Sequence, residues 1–262
     1  MKISIIGAGA MGGATAVGLL KGTLFKASDI TVADPSESVL DKFAETGISV
    51  THDNNVAAAE GDIVMVFVKP WIVESVLKGI KSSLNYKKQI LVVVAAGVKS
   101  EDIVEWMTDS KGGMLPLFLA IPNIAIAELA SMTFIVPVGA TKENTALVRE
   151  IFDDMGETIV TEERLLAAGT TLASCGIAYA MRYVRAAAEG GVEIGFKADD
   201  AKKIVLQTVK GAVQLLQATG EHPEAAIDKV TTPGGVTIKG LNEMEHAGFT
   251  SAVIRGLKAG LK

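Results

Sequence analysis

Cysteine, histidine, proline and the aromatic residues are all scarce in this chain of 262 residues, and their scarcity excludes several kinds of site. The single cysteine, Cys175, has no partner for an internal disulfide. The three histidines, His52, His222 and His246, lie too far apart for the close ligand spacing of a zinc motif. We therefore expect neither a disulfide framework nor a bound metal.

Long apolar runs and an excess of positive charge are also missing. No uninterrupted apolar stretch reaches the roughly 18–20 residues of a membrane span, and the first one, Ile3–Ile6, is too short for a signal peptide. The formal charge is −5, with acidic and basic residues interspersed, whereas nucleic-acid binding needs a basic patch. We expect a cytoplasmic protein that has no membrane or nucleic-acid partner.

Apolar residues and glycine are what the chain has in quantity. Apolar residues make up 49 % of the sequence, the mean hydropathy is +0.37, and there are 27 glycines. Disordered chains are polar and highly charged, so this composition favours a well-buried α/β or α-rich protein.

Short apolar runs alternate with helical segments over about the first 160 residues. The runs are apolar or β-branched, as in strands that are buried on both faces, and the segments between them show the apolar spacing of helices. Strands that alternate with helices predict a parallel sheet with right-handed crossovers. The predicted strands are Ile3–Ile6, Ile30–Ala33, Ile63–Val68, Gln89–Val94, Leu117–Ala120, Met132–Val138 and Thr158–Val160, and the predicted helices are Ala10–Lys21, Ser36–Glu45, Trp71–Leu84 and Ser100–Met107.

The rest of the chain loses the strand pattern, and we predict an all-α domain at residues 161–262. Glu163–Gly190 is rich in alanine, and Asp199 stands at the start of a second long helix that Gly220 closes. Helices that are apolar on more than one side need more burial than a small domain offers, so we infer a homodimer built through them; a compact monomeric bundle is the alternative. Shorter helices are predicted at Ile238–His246 and Ser251–Leu261.

A glycine motif stands directly after the first predicted strand. Gly7-Ala8-Gly9-Ala10-Met11-Gly12 fits G-x-G-x-x-G, with a strand before it and a helix after it. In such motifs the first glycine permits a tight turn, the second lets the backbone approach a pyrophosphate, and the third lets helix and strand pack closely. The motif predicts a Rossmann-type dinucleotide-binding domain at residues 1–160, the alternative being a glycine-rich turn without a ligand. The residues expected to bind the cofactor here are Gly7, Gly9, Ala10, Met11 and Gly12.

Further candidate cofactor residues follow the later strands. Asp34 comes about twenty residues after the third glycine, where an acid can bond both ribose hydroxyls of NAD and would repel a 2′-phosphate. This favours NADH over NADPH, although Asp34 is alternatively a solvated turn residue. Ligands of open α/β sheets bind beyond the carboxyl ends of the strands, so we also expect cofactor contacts from Val68, Lys69, Pro70, Ala95 and Ala96.

Several motifs, taken in order, resemble the pyrroline-5-carboxylate reductase family. The most specific is Val230-Thr231-Thr232-Pro233-Gly234-Gly235-Val236-Thr237-Ile238, with Gly220-Glu221-His222-Pro223 before it and Glu245-His246-Ala247-Gly248-Phe249 after it. The other matching pieces are the glycine motif, Val68-Lys69-Pro70, Ala95-Ala96-Gly97-Val98, Pro122-Asn123, Ala178-Tyr179 and Gly190-Gly191-Val192.

This resemblance implies reduction of the C=N bond of 1-pyrroline-5-carboxylate to L-proline by NAD(P)H, in a dimer or an assembly of dimers whose helices interlock. In that family the Pro-Gly-Gly-x-Thr loop forms the substrate pocket. The resemblance implies a cofactor contact from Asn123 and a catalytic role for Thr237, whose hydroxyl would lie near the ring nitrogen. A helix N-cap after a Pro-Gly turn is the alternative for Thr237. The implied substrate-binding residues are Thr232, Gly234, Gly235, Val236 and Thr237.

The chain departs from the family's pattern close to the implied pocket. Because these changes remove polar groups and one positive charge, two alternatives stay open: a reductase of another cyclic imine or keto acid, and a catalytically silent nucleotide-binding homologue. A hydroxyacid dehydrogenase is disfavoured because Glu163–Gly190 contains no lysine. The departures are Leu119 for a basic residue, Ile124-Ala125 for Thr-Pro, Ile177 for proline, and Arg185 at a position that is often acidic.

Overall fold

The computed structural model describes residues 1–261, which form two compact units. The first unit is Met1–Cys175, and the second begins at Gly176. The first contains the whole sheet and the second is helical, which confirms the predicted fold class. Our domain boundary after residue 160 remains a proposal; the last strand of the sheet ends at Val160.

An eight-stranded sheet forms the centre of the first unit. Its strand order is β3-β2-β1-β4-β5-β6-β7-β8, and every neighbouring pair is parallel except β6 and β7. The strands are β1 Ile3–Ile6, β2 Ile30–Ala33, β3 Ser49–Thr51, β4 Ile63–Val66, β5 Ile90–Val93, β6 Leu117–Ile121, β7 Ser131–Val138 and β8 Gly156–Val160.

Helices connect these strands and cover both faces of the sheet. Successive strand residues point to opposite faces, so Ile5 packs into one apolar cluster with Phe118 and Phe152, whereas Ile6 packs into the other with Leu91. Each of these fully buried side chains stabilises the fold by about 1.5–3 kcal/mol. The α-helices are α1 Ala10–Lys21, α2 Glu37–Leu40, α3 Asn54–Glu60, α4 Val73–Ile80, α5 Ser100–Met107, α6 Lys142–Asp153 and α7 Leu166–Gly169.

The direction of β7 differs from the prediction of a parallel sheet. β6 ends at Ile121 and β7 begins at Ser131, and between them lies only a short 3₁₀ turn, Ile124–Glu128. A parallel connection needs a crossover of a dozen or more residues, usually a helix, whereas antiparallel neighbours can be joined by a short segment. The length of this connection therefore determines the antiparallel pairing.

Three elements of the first unit are absent from the sequence-based prediction: β3, α3 and α6, the last of which begins after the N-cap Thr141. β3 has three residues and is mostly exposed, so it shows no apolar run. α3 begins after Asp53, whose carboxylate accepts a hydrogen bond from the Asn55 N–H at 2.8 Å, and this N-cap could have predicted it. The predicted strand Ile63–Val68 also ends two residues early, which places Val68 in a loop.

The second unit is built from helices that leave many apolar side chains exposed. The predicted helix Glu163–Gly190 begins in the first unit, where one π-helical segment, Thr170–Ser174, interrupts it, and continues into the second. α10 was not predicted, although Pro223 at its first position is a common helix start. The helices are α8 Cys175–Glu193, α9 Ala198–Thr219, α10 Pro223–Lys229, α11 Val236–His246 and α12 Phe249–Ala259. No helix within residues 1–261 has both the length and the apolar character needed to cross a membrane.

Candidate active site

The sheet brings the predicted cofactor residues of the first unit to one edge. Parallel strands end at the same edge of a sheet, and β2, β1, β4, β5 and β6 are neighbours in that order. The predicted residues all follow the carboxyl ends of these strands. They are Asp34 after β2, the glycine motif after β1, Val68, Lys69 and Pro70 after β4, Ala95 and Ala96 after β5, and Asn123 after β6.

Two glycines of the motif are required by the fold itself. Gly7 has a φ of +92°, and a Cβ at this position would lie 2.4 Å from the Phe67 carbonyl oxygen. A Cβ at Gly12 would lie 1.9 Å from the Gly7 carbonyl oxygen, so only glycine lets α1 approach the turn this closely. These contacts explain why β1 can turn directly into α1.

Gly9 is different, because the fold does not require it to be glycine. No atom lies within 4 Å of the position that its Cβ would occupy, and its φ of −59° lies outside the left-handed region that favours glycine. Gly9 is the N-cap of α1; no side chain caps this helix, and its first turn, which includes Ala10 and Met11, contains no acid. The free N–H groups and the open space fit the pyrophosphate of a dinucleotide.

Asp34 is buried and directs its carboxylate toward the glycine motif. It is 9 % exposed; Oδ2 accepts a hydrogen bond from the Ala8 N–H at 2.8 Å, and Oδ1 accepts one from the Ser36 N–H at 3.0 Å. This burial argues against a solvated turn residue. Each carboxylate oxygen has a second lone pair, so Asp34 retains acceptor capacity for a ribose hydroxyl. Its contact with the ribose stays a prediction.

The segment after β4 combines a buried support with an exposed end. Val68 is half-buried and packs close to Gly7, whereas Lys69 and Pro70 are exposed. Trp71, which follows them, is 78 % exposed, an unusual position for a large aromatic side chain. Trp71 was not among the residues predicted from the sequence, although its place directly after the Lys-Pro pair was a usable signal.

Asn123 braces the loop after β6. Its side-chain Oδ1 accepts a hydrogen bond from the Ala125 N–H at 3.0 Å, and its own N–H donates to the Ser131 hydroxyl at 3.1 Å. The residue is buried. These contacts support a role in bracing the loop, and the cofactor contact that the resemblance implies stays a prediction. After β5, Ala95 and Ala96 lead into Gly97, whose φ is +82°.

The predicted substrate loop of the second unit joins α10 to α11. Gly234 has a φ of +70°, which favours glycine. The Gly235 N–H donates to the Thr232 carbonyl at 2.9 Å, and a Cβ at Gly235 would lie 2.4 Å from the Thr232 hydroxyl oxygen. Gly234 is thus required by the backbone of a tight turn that ends at a helix N-terminus, and Gly235 leaves room for the Thr232 side chain.

Thr237 is the second residue of α11, so it is not the N-cap. Gly235 is the N-cap, no side chain caps the helix, and the first turn contains no acid. The Thr237 hydroxyl has no hydrogen-bond partner within residues 1–261, and its neighbour Val236 is 86 % exposed. The alternative of a helix cap therefore does not account for Thr237, and its hydroxyl is available to a ligand.

The departures from the family's pattern fall in unlike surroundings. Leu119 is 3 % exposed and packs among apolar side chains in the core. Ile124 lies exposed in the turn after Asn123. Arg185 forms an exposed ion pair with Glu189, with 3.1 Å between Nε and Oε1. Two residues outside these departures are also placed by the structure. Cys175 is half-buried, and His222 caps α10 by accepting a hydrogen bond from the Glu224 N–H.

Family models match both halves of the chain. A model described as pyrroline-5-carboxylate reductase dimerisation matches residues 163–262. A model described as NADP oxidoreductase, coenzyme F420-dependent, matches residues 2–97. The first includes the substrate loop and the second includes the glycine motif, Asp34 and the residues after β4 and β5.

Known proteins are similar over nearly the whole chain. Pyrroline-5-carboxylate reductase 1 of Dictyostelium discoideum is 39 % identical over 97 % of this chain, which spans only 48 % of that protein's length. Pyrroline-5-carboxylate reductase 2 of the same organism is 36 % identical, with coverage of 98 % of this chain and 89 % of the relative. The solved 1-pyrroline-5-carboxylate reductase of Streptococcus pyogenes is 30 % identical with a TM-score of 0.85, covering 100 % of this chain and 96 % of that one. With both halves and the whole length in agreement, the chain belongs to the pyrroline-5-carboxylate reductase family.

Proposed function

We propose that the protein reduces 1-pyrroline-5-carboxylate to L-proline with NAD(P)H. The observation that carries the proposal is the loop before α11: a tight Pro-Gly-Gly turn, an uncapped helix N-terminus, and a free Thr237 hydroxyl. These groups complement a small substrate that has a carboxylate and a ring nitrogen. The glycine motif supplies the matching place for the cofactor.

The substrate carboxylate is bound by backbone groups. The helix dipole of α11 favours an anion at its N-terminus, and the N–H groups of its first turn have no side-chain cap. Gly234 and Gly235 add backbone without side chains, so the loop can close around the carboxylate like an anion nest. The negative charge is thereby neutralised without a lysine or an arginine.

When bound, the reduced cofactor supplies a hydride to the imine carbon. An imine accepts hydride more readily when its nitrogen is protonated, so the site has to hold an iminium and a carboxylate together. Thr237 accepts a hydrogen bond from the iminium nitrogen and orients the ring. A threonine hydroxyl is a poor general acid, so the proton arrives with the substrate or from water. Orientation with the reacting atoms about 3–3.5 Å apart accounts for several kcal/mol of the barrier.

A panel of substrates distinguishes this proposal from its alternatives. We expect the highest kcat/KM for 1-pyrroline-5-carboxylate among five- and six-membered cyclic imine carboxylates and 2-keto acids of similar size. Preference for another imine by orders of magnitude would assign the exposed Ile124 and the helical Ile177 to a changed pocket. Cofactor binding without turnover of any compound would indicate a silent homologue.

Asp34 is proposed to favour NADH over NADPH. Replacing it by asparagine removes the charge that would repel a 2′-phosphate, so the ratio of kcat/KM for NADPH to that for NADH is expected to rise about tenfold, equivalent to about 1.4 kcal/mol. The melting temperature is expected to fall, because asparagine can accept only one of the two backbone hydrogen bonds. Asp29→Asn, before the amino end of the same strand, is the control and leaves the ratio unchanged. An unchanged ratio in Asp34→Asn would contradict the assignment.

The helices of the second unit are proposed to form a homodimer or an assembly of dimers. Leu215, in the second half of α9, is 65 % exposed, and a groove of about 500 Å³ on α8, α11 and α12 is lined by Tyr179, Tyr183 and Phe249. Light scattering is expected to give a mass at least twice the 27.3 kDa of one chain. Leu215→Glu should lower that mass toward the monomer, because it places a charge in an apolar contact, whereas the adjacent Gln214→Glu should not. A monomeric wild-type protein would refute this point.

A further inference from the structure

His52 lies beside the loop that follows β2, although no sequence motif included it. β2 and β3 are parallel neighbours, so their carboxyl ends meet at the same edge of the sheet. Asp34 follows β2 and His52 follows β3. Glu37, fifteen residues before His52, is the first residue of α2 and completes the group.

Both ring nitrogens of His52 face hydrogen-bond acceptors. Nδ1 lies 3.0 Å from the Asp34 carbonyl oxygen, and Nε2 lies 2.7 Å from the Glu37 carboxylate. A neutral imidazole has one N–H and can satisfy only one of these acceptors, whereas the imidazolium donates to both. The observed geometry is therefore that of a protonated His52, which holds the two ends of the segment 34–37 together.

The charged groups that act on His52, Glu37 and Asp34, are both negative. Asp53 follows His52 directly in the sequence, and no lysine or arginine of residues 1–261 forms an ion pair with any of these three carboxylates. The hydrogen bond to Glu37, followed by the one to the Asp34 carbonyl, raises the pKa of His52, and desolvation lowers it only in part. The two hydrogen bonds that His52 donates to Asp34 and Glu37, here called the clamp, are accordingly both present below this raised pKa. The clamp is lost as the pH rises through that pKa.

We propose that His52 is a positioning residue of the segment 34–37, and that its proton sets how strongly the adenosine end of the cofactor site rejects a 2′-phosphate. This rests on the proposed function, since it requires the cofactor at this edge. When protonated, His52 neutralises the charge of one nearby carboxylate and holds the Glu37 side chain by a hydrogen bond. Without the proton, Glu37 is released and the net negative charge of this group rises by one. The added charge weakens the binding of NADPH more than that of NADH, because the 2′-phosphate of NADPH carries a charge of about −1.5 to −2.

The first test follows the histidine itself in the protein without cofactor. Proton NMR titration resolves the three imidazoles, and His52→Gln identifies the resonance of interest. We expect His52 to titrate above the ordinary 6.5, and Glu37→Gln to lower its pKa, while His246→Gln, on an exposed helix end, leaves it unchanged. A His52 that titrates at or below 6.5 and ignores Glu37→Gln would overturn the clamp.

The second test measures Kd for NADH and NADPH by calorimetry between pH 6 and pH 9. As the pH rises and His52 loses its proton, the ratio of Kd for NADPH to Kd for NADH is expected to rise in the wild type. This rise should be about fivefold larger than the rise measured in His52→Gln. The 2′-phosphate titrates in both proteins, so it cancels in this comparison. Equal profiles in the two proteins would overturn the inference alone, whereas failure to bind either cofactor would overturn the proposed function with it.

Discussion

Replacing Gly9 by alanine is expected to weaken NADH binding by about ten- to a hundredfold while leaving the melting temperature unchanged. Nothing lies within 4 Å of the new methyl group, and the φ of Gly9 is negative, so the folded protein loses no contact. The methyl group does, however, keep a pyrophosphate away from the N–H groups of α1. Each tenfold loss in affinity corresponds to about 1.4 kcal/mol.

Gly12→Ala is the matched variant, because the same methyl group meets the fold directly. Its Cβ would lie 1.9 Å from the Gly7 carbonyl oxygen, so α1 has to shift away from the turn. Overpacking of this kind costs about 1–3 kcal/mol, and scanning calorimetry should show a lowered melting temperature. Wild-type affinity for NADH in Gly9→Ala would mean that the pyrophosphate does not bind at this turn.

Removing the Thr237 hydroxyl is expected to lower kcat/KM for 1-pyrroline-5-carboxylate by about ten- to a hundredfold, with Kd for the cofactor unchanged. The loss corresponds to one hydrogen bond to a charged group, about 1.5–3 kcal/mol. The hydroxyl bonds no group within residues 1–261, so Thr237→Ala should leave the stability of the fold as it is. Steady-state kinetics at saturating NADH measure the effect.

Two further variants show whether an effect at Thr237 comes from its hydroxyl group and from its place in α11. Thr237→Ser keeps the hydroxyl and should recover most of the activity. Thr250 occupies the same place in α12, two residues after the N-cap Gly248, but its hydroxyl bonds the Glu245 carboxylate at 2.7 Å. Thr250→Ala should therefore leave kcat/KM nearly unchanged. Full activity in Thr237→Ala would exclude this threonine from the chemistry.

The glycine motif could be predicted because its constraints are local. The positive φ of Gly7 and the closeness of Gly12 to it arise within six residues of chain, between a strand and a helix that are each evident from their apolar pattern. The direction of β7 and the existence of β3 could not be predicted in this way. The first depends on the length of a connection, and the second is a short, exposed strand held by its neighbour β2.

The contacts of His52 with Asp34 and Glu37 could not be predicted either, because they join residues that are distant in the sequence. His52 and Glu37 meet only because β2 and β3 pair in parallel, and Asp34 reaches Ala8 across 26 residues of sequence. No local pattern records such contacts. The substrate loop was found through resemblance, since an exposed Pro-Gly-Gly turn has no periodicity that points to a ligand. Its open helix N-terminus became visible only in the structure.

The most direct test of the central claim is to supply 1-pyrroline-5-carboxylate with NADH that carries deuterium at C4 of the nicotinamide, and to analyse the product by mass spectrometry and NMR. The two C4 epimers are used in separate reactions. We predict L-proline with one deuterium at C5, formed from one epimer and not from the other. No proline despite demonstrable NADH binding, or proline that carries no label from either epimer, would contradict the account.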